Sequence, residues 1–67
     1  MTKQEAIQKM RDGEKLTHTY FSSDEWVKSN QDGTILILED GVECSPNEFW
    51  KYRQDENFNT GWEIFNK

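Results

Sequence analysis

Ser45-Pro46-Asn47-Glu48-Phe49-Trp50, followed by Gly61-Trp62-Glu63-Ile64-Phe65, decides how this chain folds. The first segment is a helix start. The Ser45 hydroxyl can accept a hydrogen bond from the N3 amide, Pro46 suits the first helical position, and Glu48 stands where a capping box wants its carboxylate. A helix over 46–53 follows, with Phe49, Trp50 and Arg53 on one side and Lys51 and Gln54 on the other. The second segment alternates: Trp62 and Ile64 share one face, Glu63 and Phe65 the other, as in a half-buried strand. Six of the nine aromatic residues lie between Phe49 and Phe65. They form the largest apolar supply in a polar chain.

Upstream, Thr2 and Glu5 match a capping box, and Ala6, Ile7 and Met10 make one apolar stripe, so a helix is predicted over 3–11 with Gly13 as its stop. Residues 15–21 are rich in β-branched and aromatic types and predict a strand, with Leu16, His18 and Tyr20 on one face and Phe21 on the other. Ser22 begins a turn, and Trp26 to Ser29 reads as a second strand. Asp32-Gly33 signals a hairpin, because it supplies the positive φ of a tight primed turn. Thr34 to Leu38 reads as a strand covered on both faces, and Glu39-Asp40-Gly41 turns the chain into Val42-Glu43-Cys44. Asp55 to Thr60 reads as a polar loop anchored by Phe58. The expected fold class is α+β, a single domain over 1–67 in the order α-β-β-β-α-β. Two short helices are expected to cover one face of a small antiparallel sheet of four or five strands.

At 67 residues the chain is one domain at most. A domain this small buries only about 60% of its unfolded surface. The usual aids are disulfides, metals or association. Cys44 and His18 are each the single residue of their type, which leaves no internal disulfide and no Cys/His cluster with zinc spacing. Self-association is therefore the expected aid. The longest apolar run, Ile35 to Leu38, falls far below the roughly 20 residues of a membrane span, and the N-terminus lacks a signal-peptide core. A soluble, cytoplasmic protein without membrane contact is expected. Thirteen acids against eight bases give a net charge of −5, which argues against direct binding to a nucleic-acid backbone.

His18 could act as a general base, and Cys44 as a nucleophile. Neither has a constellation assigned by spacing, and the simpler readings are a strand histidine and a small buried hydrophobe. The acid pairs lack a calcium-loop spacing, and no glycine-rich phosphate cradle enters a helix. The expectation is a non-enzyme without cofactor or metal. Ile35, Ile37, Phe49, Trp62 and Ile64 are the core candidates. Trp26, Tyr20, Trp50 and Tyr52 cannot all be buried in so small a domain, so they are the candidate interaction surface. Lys15, His18 and Arg53 are the candidate contacts to a small-molecule ligand.

Glu5-Ala6-Ile7 with Met10, then Asp12-Gly13-Glu14-Lys15-Leu16-Thr17, an aromatic strand, and the closing Gly61-Trp62-Glu63-Ile64 resemble small accessory proteins of phages and prophages. The pattern is similar to the Thoeris anti-defence family, whose members open with a short helix and strand and close on a tryptophan strand. That resemblance implies a compact α+β fold, self-assembly and capture of a cyclic-nucleotide-like signal between subunits. It covers the two ends of the chain. The family's basic and aromatic segment after the first strand is replaced here by His18-Thr19-Tyr20-Phe21, and no ligand-binding residue carries over. The resulting expectation is a non-enzymatic binding protein that self-associates or binds a protein partner through an aromatic surface. The alternatives are an anti-defence sponge for a cyclic-nucleotide-like signal and an acidic inhibitor of a nucleic-acid-binding enzyme.

Overall fold

A computed structural model describes residues 1–66. Helix α1 spans Lys3–Arg11, and its capping box is complete: the Glu5 amide donates to Thr2 Oγ1, and the Thr2 amide to Glu5 Oε1. Five short strands follow: β1 (Leu16–His18), β2 (Val27–Ser29), β3 (Leu36–Leu38), β4 (Glu43–Cys44) and β5 (Trp62–Ile64). Helix α2 (Pro46–Lys51) and one 3-10 turn (Glu56–Phe58) lie between β4 and β5. All pairings are antiparallel, and the order across the sheet is β4-β3-β2-β1-β5. The α+β class and two-helix layout are as expected, with β4 as a fourth strand before α2 where the expected order had three.

Strand alternation divides the sheet into two unlike faces. Leu16, Val27, Leu36 and Trp62 point to the helices and are buried. Ala6 and Met10 of α1 and Phe49 of α2 close the core over them. Thr17, Lys28, Ile37, Glu43 and Glu63 alternate onto the opposite face; the register pairs Thr17 with Glu63, and Ile37 with both Lys28 and Glu43. The apolar stripe on α1 docks across β1, β2 and β5.

Several expectations need correction. The first strand ends at His18, because the Phe21 amide returns to the His18 carbonyl and makes a turn of 18–21. Tyr20 therefore leaves the face of Leu16 and His18 and is exposed. In β3 the inward residues are Leu36, which is buried, and Leu38 at the core margin, while Ile35 and Ile37 are half-buried in the other phase. Ile64 is half-buried and packs at the margin of the core. Helix α2 stops at Lys51, where its last turn is tied by the Arg53 guanidinium donating to the Phe49 carbonyl at 3.0 Å. Ser45 caps it as predicted, accepting from the Glu48 amide.

Candidate functional site

His18 is 4% exposed, where a partly exposed strand histidine was expected. Its Nε2 faces two carbonyls, Thr60 at 2.7 Å and Asn57 at 3.0 Å, and so carries the proton it donates to them. Nδ1 in turn accepts from the Tyr20 amide at 3.1 Å. These contacts select the neutral Nε2–H tautomer, because a proton on Nδ1 would oppose the Tyr20 N–H. Nε2 thus holds the 56–61 connection against β1, and Nδ1 holds the 18–21 turn that follows the strand. The ring also packs on Phe58 and Trp62, with centroids 4.6 and 4.8 Å away. His18 is thus a structural clasp.

The four residues of the candidate aromatic surface lie in four separate places. Trp50 is half-buried against Trp62, with centroids 5.4 Å apart, and Lys3 Nζ lies 4.4 Å above it, so it lids the core. Tyr52 follows α2 and is 78% exposed, whereas Tyr20 is 63% exposed beside Phe58. Trp26 lies on the far side of the sheet. The candidate ligand contacts are equally dispersed. Arg53 lies over the Phe49 ring at 4.1 Å, Lys15 lies 4.5 Å over Trp26, and His18 is enclosed.

Cys44 is half-buried at the rim of the core. Burial pushes its thiol above the ordinary range, and the nearby Glu48 carboxylate adds to this while Arg53 opposes it. A thiol held protonated in this way is a poor nucleophile. With His18 occupied elsewhere, no Cys–His pair is assembled.

What remains is the face that neither helix covers. Trp26 precedes β2 and shares its outward phase with Lys28. Phe65 extends β5 and is tied by its amide to the Lys15 carbonyl at 2.8 Å. The rings of Trp26 and Phe65 have centroids 6.5 Å apart, and Lys15 and Lys28 approach the indole at 4.5 and 5.9 Å. Ile37 and Thr17 continue this surface, and Glu43 and Glu63 border it on β4 and β5. The face therefore has an aromatic centre, two cations over it and carboxylates on the outer strands. Sequence reasoning found Trp26 and Lys15 separately. It missed Phe65 and Lys28, which the alternation of β5 and β2 could have placed on the same side.

No known protein family, curated protein or solved structure matches the chain. No helix among the described residues is long and apolar enough to cross a membrane.

Proposed function

We infer that this chain is a non-enzymatic binding protein of the phage or prophage accessory kind, and that it associates with a second copy through the open face of its sheet. One observation carries the reading: Trp26, a large anchor residue, stands on the uncovered face with Phe65 and Ile37 instead of in the core. Two sheets stacked about 10 Å apart would enclose these three side chains as a second core layer. The face also carries both signs of charge, Lys15 and Lys28 centrally and Glu43 and Glu63 on the outer strands. A rotated copy can therefore meet it without net repulsion. Added burial of this kind suits a domain too small to enclose a large core alone.

The acids occupy separate connections, among them Asp24-Glu25, Asp32, Glu39-Asp40 and Asp55-Glu56. That distribution favours a solvated surface over a single acidic mimic. Tyr20 and Tyr52 lie outside the open face and would remain available to a further protein partner. The sponge alternative calls on Lys15, His18 and Arg53, which do not converge within one chain. A thermal-shift screen with cyclic nucleotides tests it, since a native-state ligand must raise Tm.

Light scattering across a concentration series tests the assembly. The expected result is a concentration-dependent dimer that Trp26→Ala returns to monomer while leaving the circular dichroism spectrum intact. A strict monomer at high micromolar concentration overturns the reading.

A further inference from the structure

On the helix-covered side, a groove of about 190 Å³ runs between α1, the end of the β2–β3 hairpin and the start of α2. Its walls are Ile7, Met10, Leu36, Pro46 and Trp50, and Arg11 lies at its mouth. The walls are apolar; Ser29, the polar side chain between them, already spends its hydroxyl on the Asn30 carbonyl at 2.7 Å. This groove is more enclosed than the recesses beside Tyr20, Phe21 and Tyr52.

Arg11 does not simply extend into water. Its guanidinium lies across Gly33, where a Cβ would stand 2.5 Å from Nε and 2.9 Å from Cζ. Gly33 has φ +72, so glycine serves the turn and also leaves room for this flat approach. Among the described residues Arg11 has no ion-pair or hydrogen-bond partner, although the chain holds thirteen acids. The adjacent Asp12 instead accepts from the Gln8 amide group. A planar cation laid along an apolar groove and left without an anion has the donor set of a carboxylate receptor.

We propose that this groove binds a small apolar monocarboxylate, its carboxylate on the Arg11 guanidinium and its aliphatic or aromatic body between Met10, Leu36 and Trp50. The volume limits that body to the size of one large side chain. A nucleotide or a lipid tail exceeds it. The site is independent of the open sheet face and of the association inferred there, because it lies on the other side of the sheet.

The test is a titration of the full chain with phenylacetate, 4-methylpentanoate and indole-3-acetate, followed by amide NMR shifts and calorimetry, with each matching carboxamide as control. Saturable binding is expected at one site per chain, with shifts centred on Ile7, Arg11, Leu36 and Trp50. Loss of the charge-assisted pair should weaken binding about tenfold or more, both for the carboxamides and for Arg11→Gln. Arg11→Lys keeps the charge without the fork and should fall between. Because Arg11 is exposed, both variants should retain the wild-type Tm, which is checked in parallel. The proposal is overturned if no acid gives a saturable shift in the groove, or if acid and amide bind alike. It is also overturned if folded Arg11→Gln binds as well as wild type.

Discussion

Trp62 and Trp26 lie on opposite faces of one sheet, and the contrast between them explains most of this molecule. Trp62 is fully buried, its Nε1 donates to the Phe58 carbonyl at 2.8 Å, and His18, Phe21, Trp50 and Phe58 surround its ring. Trp26 has Phe65 beside it and two lysine stems over it, and no helix covers it. Identical side chains thus stand in different surroundings, one enclosed in the core and the other on a face that no helix covers. The reason is topological. Two helices of nine and six residues can roof only one face of five strands. An aromatic surplus then has to be shared between a core and an open side.

The largest expected effect breaks this comparison outright. Trp62→Ala should cost about 3–5 kcal/mol, the range for truncating a core aromatic. That approaches the whole stability of a chain this short, on the order of 0.05–0.15 kcal/mol per residue. Denaturant melts should find it unfolded or nearly so. Trp26→Ala removes cation–π and ring contacts at a part-exposed site and should cost the monomer only about 1 kcal/mol. Equal losses for the two variants would erase the distinction between the faces.

His18→Ala comes next, at about 1–3 kcal/mol, because it strands the Tyr20 amide and the carbonyls of Asn57 and Thr60. The loss should appear as faster hydrogen exchange in 56–61 and in β5, while the open face of β2 and β3 is little affected. Uniform loosening across the sheet would mean that His18 holds more than this connection.

How far the sequence could be read depends on the range of the interaction. Both helix starts were legible because Thr2 with Glu5, and Ser45 with Glu48, are local pairs. His18 was not, since its partners lie 39 and 42 residues away in a segment that reads as polar loop. The phase of β3 was misread for another reason: four apolar residues in a row carry no alternation. Its register is set by Asn30, whose Oδ1 accepts from the Thr34 and Ile35 amides. That turn holds Ser29 opposite Leu36, and so sends Leu36 inward and Ile37 outward. An asparagine four residues before a threonine was the available signal. Trp26 and Lys15 were legible as candidates. Their shared face with Phe65 and Lys28 required the strand order.

Two glycines offer a finer probe. Gly61 and Gly41 both hold positive φ, +86 and +85, so alanine at either should cost about 1–2 kcal/mol in backbone strain. Only at Gly61 would the new Cβ meet a core group, His18 Nε2 at 3.0 Å; Gly41 has open space. Gly61→Ala should therefore be the worse of the two in thermal melts, and the difference measures how tightly the clasp is packed. If both fall equally, the His18 ring yields at little cost.

The smallest effect concerns the edge of the covered face. Glu5 is held below the ordinary carboxylate range, first by the Thr2 amide and then by the Thr2 hydroxyl. A carboxyl lowered in the folded state adds stability that is fully present above its unfolded value and is lost as pH falls through the folded one. The window therefore lies in the acid limb, from the ordinary glutamate range downward, and neutral pH is untouched. Because Glu5 is exposed, the effect is small and local. Acid should fray the first turn of α1, which starts the roof over Trp62, before it disturbs Trp26 on the other side. Following the amides of 3–6 and the two indole signals by NMR through an acid titration checks this, with Glu5→Gln removing the pH dependence of the α1 amides. If the Trp26 indole shifts first, the cap on α1 is not the acid-sensitive edge of the fold.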